Sequence, residues 1–204
     1  MGLKTKIRTV ILHPFALFFE KVMQVQQQVK TDKLKKEFRY CGTDFNVEGN
    51  WIFKNPQYIH IGENFNSLYN LRIEAWDAYQ NQTFTPDIYI GNNVCMNTDV
   101  HIGCINKIHI GNNVLIASKV YISDHSHGEI SLAALDLPPI NRPLISKGAV
   151  IIEDNVWVGE NVSILPGVTI GRNSIIGANS VVSKNIPQNV VAAGIPAKII
   201  KVLS

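Results

Sequence analysis

Every sixth residue along the last third of the chain is aliphatic. Counting from Ile152 gives Val158, Ile164, Ile170, Ile176 and Val182; counting from Val150 gives Val156, Val162 and Val168 before Ser174 and Ser180. A helix repeats about every 3.6 residues and a strand alternates every two, so neither alone sustains this period. A short strand followed by a corner does, because the same position then returns inward on each side of a coil. Three such sides close one triangular turn. Glycines at 159, 171 and 177 follow the inward aliphatics, where the missing Cβ suits a corner.

The same phrase occurs upstream. Ile88, Val94 and Val100 keep step, as do Ile90, Met96 and Ile102, and IGNN stands at 90–93 and again at 110–113. Ile110, Ile116 and Ile122, with Val114 and Val120, resume the rhythm after a two-residue slip, and IHIGEN at 59–64 is a fainter opening copy. Coils that stack aliphatic columns in this way need their ends covered. Phe15, Phe18, Val22, Val25 and Val29 follow Pro14 at spacings of three and four, which predicts a helix with Pro14 in its first turn. Its apolar stripe suits packing on the coil or on a neighbouring subunit, or peripheral contact with a membrane through the flanking Lys4, Lys6, Arg8, Lys35 and Lys36. After Pro187 and Pro196 the chain ends in KIIKVL, read as a short helical cap. The expected organisation is a helical segment over 1–42, a mostly β solenoid over 43–186 and a C-terminal cap over 187–204.

Composition agrees with this and narrows it. Of the 204 residues, 46 are isoleucine or valine, an excess of β-branched side chains that favours strands. Hydrophobic residues make up 46% and charged residues 17%, which excludes a disordered chain. The longest early apolar stretch is broken by Arg8, His13 and Pro14 and predicts no membrane span. A net charge of +3 without an aromatic-interleaved basic stripe does not point to nucleic acid. Three cysteines, an odd number without C-x-x-C spacing, predict a reducing, cytoplasmic location.

Between 124 and 148 the rhythm stops, and the chain reads DHSHGEISLAALDLPPINRPLISKG. An excursion longer than about 12–15 residues within a compact domain is usually functional or disordered, and this one keeps apolar and proline punctuation. His125 and His127 lie two apart, on one side of an extended segment. An imidazole, with an ordinary pKa of about 6.5, can take and return a proton near neutral pH. A surface histidine with a purely structural role is the competing reading for each.

IGNNVLIASKVYIS before this loop and IEDNVWVGENVSILPGVTIGRNSIIGANS after it resemble the hexapeptide-repeat acyltransferases, near the maltose, galactoside and polysaccharide O-acetyltransferase branch. The resemblance covers about residues 43–186. It implies an all-β, left-handed parallel β-helix, a homotrimer, and direct transfer of acetyl from acetyl-CoA to a sugar hydroxyl, with no metal required. His127 matches the family's general base, with His125 the second candidate and Asp124 or Glu129 as groups to orient the ring. Asn97, in CMNTD, matches an asparagine beside the acceptor. For acetyl-CoA, the matching positions are Trp157, Ala178, Ser183 and Lys184. Lys198 and Lys201 stand where the galactoside branch has phosphate-binding arginines, and a lysine there keeps the charge but loses the two-pronged geometry.

Other functions compatible with this fold are N-acetylation of a nucleotide-linked amino sugar, a γ-class carbonic anhydrase with histidine-bound zinc, and a non-catalytic scaffold. His101 and His109, eight apart, are the only pair that suggests the zinc site. Acceptor identity should reside in 68–85 and 128–142.

Overall fold

The computed structural model describes residues 3–129 and 131–204. It has two units, one ending at Glu37 and one running from Phe38 to Ser204. The first is the helix Leu3–Lys35, which carries Pro14 in its interior rather than in its first turn. Pro14 removes one backbone donor, and the helix continues through it. Phe15, Phe18, Val25 and Val29 are all exposed. The side chains of Lys4, Lys6 and Arg8 lie outside the described residues. Among the described residues no helix is long and apolar enough to cross a membrane.

In the second unit the strands of the coil fall into three sheets that the chain visits in rotation, as the six-residue period requires, and two hairpins stand outside them. The first sheet holds, in order, Tyr40–Cys41, Ile59–Ile61, Asp87–Ile90, Lys107–Ile110, Val150–Ile152 and Thr169–Ile170. The second begins with Asn46–Val47 and proceeds through Cys95–Met96, Leu115–Ile116 and Trp157–Val158 to Ile175–Ile176. The third runs from Trp51–Lys54 through Leu71–Ala75, His101–Cys104, Tyr121–Ser123 and Ser163–Ile164 to Val181–Val182. Pairing between successive coils is parallel, with Ile110 opposite Ile152 and Ile152 opposite Ile170. The column from Ile152 to Val182 identified in the sequence is 0% exposed throughout. Ser174 and Ser180 are buried where aliphatics stood before, and each has a use: Val190 N donates to Ser174 Oγ and Gly194 N to Ser180 Oγ.

Corners are held by asparagines in the left-handed region. Asn64, Asn93, Asn113, Asn155, Asn173 and Asn189 have φ of 55–59°, and their amides form a ladder in which each Nδ2 donates to the next Oδ1 at 2.7–3.1 Å. Asparagine tolerates this conformation better than other residues with a side chain. Replacing Asn155 with alanine keeps the strained φ and removes two rungs. The expected loss is about 1–3 kcal/mol, read as a lower urea midpoint with an unchanged slope. Glycine is required where coils touch: a Cβ on Gly111 would lie 2.8 Å from the backbone nitrogen of Asp154 and 2.9 Å from the carbonyl carbon of Glu153.

Successive rungs are separated by 29, 20, 42, 18 and 16 residues. The two long intervals contain the excursions, and both leave the corner between the third and first sheets. One is the hairpin Ala78–Tyr79 with Gln82–Thr83. The other is the 124–148 segment, in which His125–His127 pairs antiparallel with Leu144–Ser146 around two short helical turns, Leu132–Asp136 and Pro139–Asn141.

The expected helical C-terminal cap is instead a pair of strands. Val190–Gly194 extends the second sheet beside Ile175–Ile176, and Ala197–Val202 returns antiparallel on its edge. Six residues are too few for an independent helix, whereas β-branched Ile199, Ile200 and Val202 suit an open sheet edge.

Candidate active site

Two excursions from one edge of the coil create a cleft against the outer face of the third sheet. Gln82 accepts from Leu144 N at 2.7 Å and donates to Leu144 O at 3.2 Å, and Tyr79 Oη and Gln80 Nε2 donate to Ile140 O. These bonds join the walls around a cleft of about 770 Å³. It crosses the coils in order: Arg72 and Glu74, then His101 and Gly103, then Tyr121 and Ser123, then Leu165 and Pro166, then Ser183. Strands lie about 4.8 Å apart, so the cleft spans roughly 19 Å along the coil axis.

His125 and His127 both line it. His125 Nδ1 lies 2.9 Å from Asp124 Oδ1. Asp124 is completely buried and also accepts from the backbone N–H groups of Ile105, Asn106 and Lys107 at 2.8–3.3 Å and from Cys104 Sγ at 3.2 Å. Burial opposes its charge, but hydrogen bonds from His125, Ile105, Asn106 and Cys104 outweigh that effect and hold the carboxyl below its ordinary range. Burial also pushes the Cys104 thiol up, reinforced by the neighbouring Asp124 charge. An ionised carboxylate only accepts, so the His125 proton sits on Nδ1 and leaves the Nε2 lone pair available. His127 is more exposed, with its ring edge-on to Tyr79 at 5.4 Å and Nδ1 3.4 Å from the phenol oxygen. Glu129 is exposed, and it is Asp124 that orients a histidine.

The other expected residues are divided between faces. Ser183 lines the cleft, and Lys184 follows it, exposed. Trp157, 49% exposed, is on the second sheet, and Gly159 packs against Ala178 at the corner that follows it. Lys198 and Lys201 are on the edge strand of that sheet. Asn97 follows the second-sheet strand Cys95–Met96 and is not part of the cleft lining; the left-handed corner there belongs to Asp99, with φ 61°.

His101 and His109 are on different sheets, which separates the pair considered for zinc. His109 stacks on Tyr89 at 4.7 Å. His101 Nε2 contacts Glu74 Oε2 at 3.2 Å, and that oxygen also takes Arg72 Nη2 at 2.7 Å. Burial and then the Arg72 charge hold the His101 imidazole below its usual pKa. Among the described residues no group of three or more His, Cys, Asp or Glu side chains converges as a metal site. Arg72, Glu74 and Tyr79 had no role in the residue pattern, although all three fall within 68–85.

The profile of the bacterial transferase hexapeptide family, which spans six repeats, matches residues 149–184. The "putative lipopolysaccharide biosynthesis O-acetyl transferase WbbJ" of Escherichia coli K12 is 45% identical over 152 residues, covering 72% of this chain and 74% of its own. The chain belongs to the hexapeptide-repeat transferases. Within that family, the galactoside O-acetyltransferase of E. coli K12 is 39% identical, covering 82% of this chain and 66% of its own. The crystal structure of a maltose O-acetyltransferase from Clostridium difficile 630 superimposes with a TM-score of 0.52 at 32% identity, covering 85% of this chain and 74% of the other.

Proposed function

We propose that this hexapeptide-repeat transferase moves the acetyl group of acetyl-CoA to a sugar hydroxyl of a polysaccharide, lipopolysaccharide or sugar precursor. The observation that carries this reading is a pair of imidazoles on one cleft that continues toward the C-terminal coils. In the reaction, a cleft imidazole removes the hydroxyl proton while the oxygen attacks the thioester carbonyl carbon. The tetrahedral intermediate then collapses, the C–S bond breaks, and the imidazolium returns its proton to the CoA sulfur. Atoms balance without a covalent acetyl-enzyme.

His127 is the proposed base, by its match to the family pattern. His125, held in a base-competent tautomer, is the second candidate. Acetyl-CoA lies along the C-terminal coils, with Trp157, Ala178, Ser183, Lys184, Lys198 and Lys201 as its contacts and Asn97 near the acceptor. These residues occupy two faces of one chain, an arrangement that suits a left-handed coil assembled as a homotrimer, each cofactor shared between neighbours. The enzyme works in the cytoplasm, where acetyl-CoA is made.

Incubating the protein with acetyl-CoA and a panel of sugars and nucleotide sugars tests the reaction. The expected result is thiol release together with a product heavier by one acetyl group. Thiol release no faster than in a control without the protein, across the whole panel, would remove the enzymatic reading in favour of a scaffold.

A further inference from the structure

Glu74 is an unusual residue for its position. The outward positions of the third sheet form two rows across the coils, Ile52, Arg72, His101 and Tyr121 in one and Lys54, Glu74, Gly103 and Ser123 in the other. An acidic residue on an outward row normally stays in water, yet Glu74 is only 7% exposed. Its Oε2 receives both Arg72 and His101. Its partners are part-exposed, Arg72 at 46% and His101 at 32%, so the pairing contributes little to fold stability and points instead to a role in the cleft it borders.

Gly103, the next residue in the same row, leaves the floor open. A Cβ there would lie 3.4 Å from His125 Cε1 and 4.0 Å from His101 Nε2. The opening is therefore bordered by Glu74, His101 and His125. Trp76, Tyr79 and Tyr121 line the same cleft and offer aromatic surface for the apolar face of a sugar ring.

Charge decides which acceptor fits. Recognition of a phosphate or carboxylate is favoured by an uncommitted cation, whereas Arg72 is already paired with a carboxylate that would repel an anion. Lys54, at the same end, has its ammonium 2.9 Å from the centre of the Trp76 ring, near Glu74 and Asp77. Lys147 belongs to the other end, where its backbone abuts Gly167 beside Pro166. A carboxylate next to a guanidinium accepts from one hydroxyl and leaves donors for its neighbour.

On the acyl-transfer reading above, we propose that Arg72, Glu74 and His101 form the acceptor subsite and select an uncharged sugar with adjacent hydroxyls over an acidic or nucleotide-linked one. The test measures binding apart from transfer, on the full-length protein in the presence of CoA. The probes are methyl glycosides of galactose, glucose, mannose and rhamnose, with galactose 6-phosphate and UDP-galactose as anionic counterparts, followed by saturation-transfer NMR and calorimetry. At least one neutral glycoside is expected to bind about tenfold or more tightly than either anion. Glu74→Gln and Arg72→Lys, each near in size to the original, should weaken that binding at least about tenfold without altering the affinity for acetyl-CoA. Equal or tighter binding of UDP-galactose or the phosphate overturns the proposal, as does a neutral glycoside bound equally by both variants, or none bound by the unaltered protein. Glu74-dependent glycoside binding without CoA release keeps the subsite and removes acetyl transfer. CoA release to an acidic acceptor does the reverse.

Discussion

Replacing His127 with alanine is expected to lower acetyl transfer by about 10²–10⁴-fold while leaving acetyl-CoA affinity within about twofold. The magnitude follows from the chemistry: a sugar hydroxyl is a poor nucleophile until its proton is leaving, and the base acts only as the transition state forms. The separation of rate from affinity follows from position, since His127 is on the inserted hairpin and the proposed cofactor contacts are on the last coils and their edge strand. His125→Ala provides the discriminating comparison. That ring is fixed by Asp124, so its removal should reduce the rate through disturbance of the loop, by less than His127→Ala. The opposite order, with His125→Ala abolishing transfer and His127→Ala costing less than about tenfold, would assign proton removal to the Asp124-held imidazole. Single-turnover rates and calorimetric CoA binding on the same preparations separate these outcomes.

The columns of the coil were legible because each inward position answers to one constraint repeated many times. Ile152, Val158 and Ile164 face the same interior on successive sides, so the period is independent of distant sequence. The C-terminal segment was misread because its conformation comes from a partner. Ala197–Val202 has no strong period of its own and becomes extended on an edge that Val190–Gly194 exposes. The histidine pair could be found from its place in the interrupted rhythm, but DHSH does not say which carboxylate faces which ring. Asp124 is selected by the turn at Ile105–Lys107, where the two-residue slip aims three backbone donors at it. Arg72 and Glu74 were hidden for a related reason, and His101 was visible only as a candidate zinc ligand. Arg72 and His101 are opposite each other in adjacent coils, and both meet Glu74 only once those coils stack, at the cleft that the two excursions border.

Asp124 carries the second large effect, on stability. Asp124→Ala strips a fully buried acceptor from three backbone N–H groups and from His125 and should destabilise the protein by on the order of 3–5 kcal/mol. For a chain of this length that is a fall in melting temperature of roughly 2–4 °C per kcal/mol. Asp124→Asn retains one accepting oxygen and should lose less, while its amide donors face backbone N–H groups that also donate. Acid titration separates the role of the charge. The Asp124 carboxyl is held below its unfolded value, so its contribution is present above the ordinary aspartate range near about 4 and disappears as pH falls through its lower folded value. His60, His101 and His109 are also lowered, in each case mainly by burial. The unfolded chain therefore binds their protons first, and stability begins to fall as pH drops through about 6.5. Denaturation of the unaltered protein from pH 8 to 3 should show both limbs. Asp124→Asn should preserve the histidine limb and reduce the lower one, to which Glu63, lowered by hydrogen bonds from Thr43 and Tyr40, also contributes; an undiminished lower limb would mean that the carboxylate charge makes no contribution at this position.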